Sequence, residues 1–196
     1  MIIYLVRHCR HALLNTVLCG RIDGVALSPE GAEQARRLAN QFSGKPIDLV
    51  QTSPRQRARE TAQPIAAAAG RRLDKADGMD ELDAGEWSGR SFERLAADPS
   101  WVAWNENRAR TRPPGGESMI ELQARVVAHL KSLGQTNARS VVVVSHAEPI
   151  RAALLHCLDL PVDRFADIEI EPGSISILRR DGERLVAEAT NLQVLS

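Results

Sequence analysis

The sequence has few cysteines and no long apolar run. Its three cysteines, Cys9, Cys19 and Cys157, are odd in number and lack CxxC spacing, so they predict neither a disulfide framework nor a thiolate zinc site. The longest apolar runs, such as 2–6 and 141–144, are far shorter than the roughly 20 residues that cross a bilayer. No signal-peptide pattern opens the chain. We therefore expect reduced cysteines, no membrane partner and a cytoplasmic location.

Neither sign of charge is in excess. The 25 Lys plus Arg residues balance 25 Asp plus Glu residues, and both kinds are mixed along the chain. A nucleic-acid partner is disfavoured, because the sequence has no basic stripe to release counterions. The 196 residues, 43% of them hydrophobic, are enough for a full core, so we expect a single domain over 1–196. We leave open whether the chain forms a homodimer through an edge strand or an exposed helix.

Short β-favouring runs alternate with amphipathic segments. The runs at 2–6 and 141–145 are typical of strands buried on both faces. Ser28-Pro29 and Ser53-Pro54 are typical helix starts, with a serine cap followed by proline. This alternation predicts an α/β three-layer sandwich, with a mainly parallel central sheet and helices on both faces. Further strands are expected at 47–50, 71–73, 174–178 and 185–189, and further helices at 92–97, 99–107, 119–133 and 149–157.

Histidine and arginine residues follow the ends of the predicted strands. Strand one ends at Arg7-His8, the second strand leads into Arg57, and the valine-rich strand ends at His146. Glu81 lies on the loop after the third strand. Ligands bind beyond the carboxyl ends of parallel strands, so we expect these side chains to share one edge. Such a set fits phosphoryl transfer without a metal. It offers a nitrogen nucleophile, two arginines that can each bind phosphate oxygens through two N–H groups, and a proton donor.

Motifs in a fixed order carry a resemblance to a known family. The chain resembles the histidine phosphatase superfamily, in its phosphoglycerate mutase-like branch and small phosphatase type, over about residues 2–160. The motifs are Leu5-Val6-Arg7-His8, Gly20-Arg21-Ile22-Asp23 followed by Leu27-Ser28-Pro29-Glu30-Gly31, the segment 53–62 with Arg57-Ala58 and Thr61-Ala62, the segment 81–89, the segment 114–118 and Val144-Ser145-His146.

The resemblance implies a role for each strand-end residue. His8 would be the nucleophile and form a transient phosphohistidine, while Glu81 would protonate the leaving alkoxide and later activate water. The neighbouring arginines should also disfavour a protonated His8. No metal or other cofactor is implied. Binding of the phosphoryl oxygens and of the rest of a small phosphorylated substrate would fall to Arg7, Arg57, His146, Asn15 and Arg21.

The chain departs from the family pattern after His8. Cys9 stands where the family usually has glycine, and Arg10-His11 stands where a Glu-Thr pair is usual. The family's asparagine is shifted to Asn15. These departures add a side chain close to the expected phosphate pocket, and they bear on substrate choice and catalytic rate rather than on the fold.

The predicted reaction is metal-independent hydrolysis of a phosphomonoester through phosphohistidine. One alternative is a phosphoglycerate mutase-like phosphomutase, which returns the phosphoryl group to a second hydroxyl. Another is a catalytically impaired domain that binds a phosphorylated ligand, an alternative that the residues after His8 keep open. Within the motifs, Glu86, Asp80 and Asp83 compete with Glu81 for the acid role, and Arg55 and Arg59 compete with Arg57.

Overall fold

One six-stranded sheet organises the chain in a computed structural model that describes residues 1–194. Residues 195 and 196 of the expected domain lie outside the described residues. The strands are β1 (Ile2–Arg7), β2 (Leu49–Thr52), β3 (Leu73–Lys75), β4 (Ser140–Ser145), β5 (Ile175–Asp181) and β6 (Arg184–Leu192).

The strand order is β3-β2-β4-β1-β5-β6. Strands β1 to β4 pair in parallel, whereas β5 and β6 add an antiparallel edge next to β1. The prediction of a mainly parallel sheet is confirmed. In the β1–β4 pair, Arg7 lies opposite Ser145, so the residues directly after these two strands emerge side by side.

Helices cover both faces of this sheet, which confirms the three-layer architecture. Two hydrophobic clusters fill the spaces between the layers: one contains α1 and α2, and the other contains α5 and α6. No helix in residues 1–194 is long and apolar enough to cross a membrane. The helices are α1 (Pro29–Asn40), α2 (Gln56–Ala69), α3 (Phe92–Ala96), α4 (Pro99–Glu106), α5 (Met119–Ser132) and α6 (Ala147–Cys157).

Strand β4 lies at the centre of the core, and its burial on both faces explains the run of four valines. Val141 and Val143 pack into the cluster with α5 and α6, whereas Val142 and Val144 pack into the cluster with α1 and α2. All four side chains are fully buried. A strand covered on both faces needs apolar residues at every position, and this accounts for the absence of polar alternation.

Of the two helix caps predicted from serine-proline pairs, the structure confirms only the one at Ser28. The Ser28 hydroxyl accepts a hydrogen bond from the Gly31 N–H at 3.1 Å and caps α1 as predicted. The expected cap at Ser53 is wrong, because α2 begins at Gln56 after Arg55 as the N-cap residue. Ser53 instead uses its hydroxyl in buried hydrogen bonds with Asp80 and His146 at the sheet edge, and its oxygen also accepts from the Arg55 N–H at 3.3 Å, one residue before the helix.

The third strand is also shifted from the predicted 71–73 to Leu73–Lys75. Gly70 adopts the left-handed conformation at φ 61°, and the Arg71 N–H then donates to the Ala66 carbonyl at 2.9 Å. This hydrogen bond closes α2, a common helix ending at glycine. Only from Leu73 onward can the chain pair with β2.

Candidate active site

A cavity of about 470 Å³ lies beyond the carboxyl ends of β1 and β4. The register of these strands brings His8 and His146 together, with 5.1 Å between their ring centroids. His8 is 3% exposed, and His146 is fully buried behind it. Of the five strand-end residues, four line the cavity itself: Arg7, His8, Arg57 and Glu81.

The ring of His8 is held in a defined tautomer. Its Nδ1 lies 2.8 Å from the carbonyl oxygen of Cys9. Since a carbonyl only accepts hydrogen bonds, Nδ1 carries the proton and Nε2 keeps its lone pair. Burial, together with the charges of Arg57 and Arg7, lowers the pKa of His8 well below its ordinary value of 6.5. His8 is therefore a neutral imidazole with a free nitrogen lone pair at neutral pH.

Arg57 brings a largely unpaired guanidinium into the same cavity as His8. Arg57 is 1% exposed, and its Nη2 donates to the Gly20 carbonyl at 2.7 Å. Its Nε and Nη1 have no hydrogen-bond partner among residues 1–194, and neither does Nε of Arg7. Buried cationic donors without acceptors are unfavourable, so their arrangement fits an anion with several oxygens.

The Glu81 carboxyl group lies on the loop after β3 and also lines the cavity. Its Oε1 accepts from the Leu82 N–H at 2.8 Å, and its Oε2 lies 3.7 Å from Nδ1 of His146. Burial raises the pKa of Glu81 to about 7, while the charge of Arg57 opposes this shift. A carboxyl group with this pKa can both give and take a proton near neutral pH.

The other carboxylates of this loop either accept hydrogen bonds from neighbouring groups or are exposed to solvent. Oδ1 of Asp80 accepts from the Ser53 hydroxyl, and Asp83 accepts from the Gly85 N–H. Glu86 is exposed to solvent. Among the competing carboxylates, the cavity is lined only by Glu81 within residues 1–194.

Two arginines bind the backbone of the loop over residues 80–89, which carries Glu81 and is called the acid loop from here on. Arg21 Nε and Arg125 Nη2 donate to the Glu81 carbonyl at 2.8 and 2.9 Å, and both guanidiniums pair with Glu117 of the 114–118 motif. Arg21 also pairs with Asp83. These acceptors engage the guanidinium of Arg21, which does not line the cavity, and its expected role in substrate binding stays a prediction.

The Cys9 side chain lies away from the phosphate-binding side. It is fully buried in the hydrophobic cluster that contains α1 and α2, and its backbone N–H donates to Oγ1 of Thr61 at 2.9 Å. Burial raises the pKa of the Cys9 thiol to about 12, so it stays protonated. The expectation that Cys9 adds a side chain close to the pocket is therefore wrong.

His11, one of the departures from the family pattern after His8, also lines the cavity. It is 7% exposed, its ring centroid lies 5.3 Å from that of His8, and its Nδ1 has no partner in the described part of the chain. Burial and the charges of Arg57 and Arg7 lower the pKa of His11 to about 4. Its sequence signals are its position three residues after His8 and the departure of Arg10-His11 from the family pattern. Asn15, by contrast, lies at the cavity but is exposed, with φ at 61°.

Another part of the cavity wall is aromatic and charged. Glu148 accepts from Arg108 at 2.9 Å through one oxygen and from Arg151 at 3.0 Å through the other. The guanidinium carbon of Arg108 lies 3.7 Å from the ring centroid of Trp104. No group of three or more His, Cys, Asp or Glu side chains within residues 1–194 is arranged to hold a metal ion.

Comparison with known proteins agrees with this geometry. A family model described as "Histidine phosphatase superfamily (branch 1)" matches residues 3–193. The chain is 30% identical to phosphoserine phosphatase 1 of Hydrogenobacter thermophilus, over 93% of this chain and 90% of that protein. It is 31% identical to a protein named probable phosphoglycerate mutase from Serratia proteamaculans, over 93% of this chain and 85% of that protein.

A solved structure has the same architecture. It is a phosphoserine phosphatase of Entamoeba histolytica, a histidine-to-alanine variant in complex with phosphoserine. Its TM-score with this chain is 0.87 at 25% identity, and the match covers 100% of this chain and 99% of the other.

Proposed function

The chain belongs to branch 1 of the histidine phosphatase superfamily, and we propose that it hydrolyses small phosphomonoesters through a phosphohistidine on His8. One observation carries this proposal: the Cys9 carbonyl fixes the proton on Nδ1 of His8, so that Nε2 keeps its lone pair in a cavity that Arg57, with its unpaired guanidinium nitrogens, also lines. A nucleophile and the donors that bind its electrophile thus meet in one cavity.

In the first step, Nε2 of His8 attacks phosphorus while the bond to the ester oxygen breaks. Arg7, Arg57 and His146 bind the three equatorial oxygens, over which the negative charge of a loose transition state is spread. Glu81 gives its proton to the departing alkoxide oxygen. The products of this step are the free alcohol, phosphohistidine and the Glu81 carboxylate.

In the second step, water attacks the phosphohistidine. The Glu81 carboxylate takes a proton from the water as its oxygen bonds to phosphorus and the P–N bond breaks. Inorganic phosphate leaves, and neutral His8 and protonated Glu81 are restored. Two guanidiniums supply the positive charge in both steps, so the proposed reaction needs no metal ion.

The substrate class is inferred from the cavity and from the relatives. A cavity of about 470 Å³ fits a small metabolite, and the wall of Glu148, Arg108 and Arg151 offers charged groups to its leaving portion. The relatives named phosphoserine phosphatase make phosphoserine the first compound to test, followed by phosphoglycerates.

A phosphomutase is the minor alternative, and the relative named probable phosphoglycerate mutase keeps it in the test. The impaired-binding alternative depended on the residues after His8. Burial of the Cys9 side chain in the core supports turnover rather than impairment, because nothing of that side chain lines the cavity.

The deciding experiment is hydrolysis of p-nitrophenyl phosphate in the presence of a chelator. We expect turnover to persist in the native protein and in His156→Ala, a control at an exposed histidine on α6, and to vanish in His8→Ala. Loss of turnover on chelation, or full turnover in His8→Ala, would contradict the proposal. Formation of a phosphorylated isomer instead of inorganic phosphate from a phosphoglycerate would identify a mutase.

Three broader expectations remain predictions. They are a single domain over 1–196, a cytoplasmic location and an open choice between monomer and homodimer. Limited proteolysis, cell fractionation and light scattering respectively test them.

A further inference from the structure

A buried pair of polar residues lies directly behind His146. The Ser53 hydroxyl lies 2.7 Å from Nε2 of His146 and 3.1 Å from Oδ1 of Asp80. Ser53 and His146 are fully buried, and Asp80 is 7% exposed. Ser53 follows β2, Asp80 lies on the acid loop after β3 and His146 follows β4, so three separate segments converge on this contact.

The direction of these hydrogen bonds can be deduced from Asp80. Its Oδ1 also accepts from Nε of Arg55 at 3.0 Å and from the Glu81 N–H at 2.8 Å, and both of these groups only donate. Oδ1 of Asp80 therefore acts as an acceptor toward Ser53, which gives it the single hydroxyl proton. The Ser53 oxygen must then accept from Nε2 of His146.

This direction fixes which ring nitrogen of His146 remains free. With the proton on Nε2, the neutral ring leaves a lone pair on Nδ1. Nδ1 is buried, has no hydrogen-bond partner among residues 1–194 and lies 3.7 Å from Oε2 of Glu81. The free nitrogen therefore lies on the side of the catalytic acid.

We propose that Ser53 and Asp80 are positioning residues that hold His146 in the Nε2–H tautomer with Nδ1 toward the phosphoryl pocket, and that His146 gains a proton on Nδ1 when a phosphoryl dianion binds. The second part rests on the proposed function, because a neutral ring in this tautomer has no donor for a phosphoryl oxygen. Protonation at Nδ1 converts the lone pair into a donor and adds a charge beside the anion.

The charges around His146 agree with this coupling. Burial, and then the charges of Arg57, His8, Arg7 and Arg55, lower the pKa of His146 well below 6.5, so the ring is neutral before an anion arrives. A bound dianion counters the arginine charges and favours the protonated ring. The titratable and charged groups that face His146 are Arg7 at the end of β1 and His8 directly after it, Arg55 and Arg57 at the start of α2, and Asp80 and Glu81 of the acid loop.

The direct test is ¹⁵N NMR of the histidine rings in the native protein at pH 7.5, with His146 assigned by its absence from His146→Gln. We expect a pyrrole-like Nε2 and a pyridine-like Nδ1 in the free protein, and a doubly protonated ring after addition of tungstate, a dianion that carries no proton at this pH. The opposite tautomer in the free protein, or an unchanged ring with tungstate bound, would overturn the inference.

Kinetics give a second readout. In Ser53→Ala we expect a mixture of His146 tautomers and a kcat roughly ten- to a hundredfold lower, with a smaller change in KM and partial recovery in Ser53→Thr. Ser145→Ala is the matched control, since this equally buried hydroxyl donates to the Met79 carbonyl at 2.7 Å and not to His146. It should keep the native tautomer.

The two proposals fail in different ways. The tautomer of the free protein is read without any turnover, so a protein without phosphatase activity that still shows Nε2–H would contradict the function alone. An active phosphatase with the Nδ1–H tautomer, or with native kcat in a folded Ser53→Ala, would contradict the positioning role alone.

Discussion

Replacing Glu81 by glutamine removes the proposed proton donor and keeps the size of the side chain. The carboxyl group lines the cavity and is held by the Leu82 N–H, so the variant should fold with the same loop. General acids contribute about 10²- to 10⁴-fold to rate, and we expect this loss in the phosphorylation of His8 by an alkyl phosphate such as phosphoserine. With p-nitrophenyl phosphate the loss should be much smaller, because its leaving group needs little protonation.

The pKa of Glu81, about 7, also sets the pH dependence of this step. Between pH 7 and pH 9 the protonated fraction falls from about one half to about one hundredth, so the native phosphorylation rate with an alkyl phosphate should fall about fiftyfold. The substrate stays dianionic in this range, since its second pKa is about 6. His8 stays neutral because its pKa is lowered.

The assay is rapid-quench measurement of phosphoenzyme formation with both substrates across this pH range. Glu86→Gln serves as the control, because Glu86 lies on the same loop but is exposed to solvent. The acid role of Glu81 would be refuted by equal losses with both leaving groups, or by a native alkyl-phosphate profile that stays flat up to pH 9.

Three further substitutions test other parts of the site. Arg57→Gln removes a buried guanidinium with unpaired nitrogens, so we expect kcat/KM to fall at least about 100-fold and vanadate inhibition to weaken, with exposed Arg59→Gln as the control. Cys9→Gly removes a core side chain away from the cavity, so the free energy of unfolding measured in urea should fall by about 1–2 kcal/mol while kcat changes little. Glu117→Gln removes the partner of both arginines beneath the acid loop, so steady-state kinetics should show a lower kcat with KM nearly unchanged. Native vanadate inhibition, native stability or native kcat, respectively, would contradict these expectations.

The strand-end residues could be predicted because neighbouring parallel strands place the residues after their carboxyl ends at one edge of the sheet. The pairing of Arg7 with Ser145 brings His8 and His146 together, and the valine run of β4 is recognisable as a strand buried on both faces. Local patterns sufficed here, since each residue lies directly after an element with a clear sequence signature.

The loop side chains could not be predicted in this way, because their directions depend on partners far along the chain. Arg21 contacts the acid loop and Glu117 rather than the cavity, and Cys9 turns toward the α1 and α2 side of the sheet. Ser53 has the pattern of a helix cap, yet its hydroxyl is hydrogen-bonded to a histidine 93 residues away. No local sequence pattern encodes such contacts.

The most direct test of the account is to trap the phosphoenzyme. The native protein is mixed with phosphoserine, or with p-nitrophenyl phosphate if phosphoserine is not a substrate, quenched in base within the first turnover and analysed by mass spectrometry and ³¹P NMR. We predict one phosphoryl group per chain on Nε2 of His8, formed as fast as the alcohol is released and absent from His8→Ala. Alcohol release without phosphohistidine, or a phosphoryl group on another residue, would contradict the mechanism.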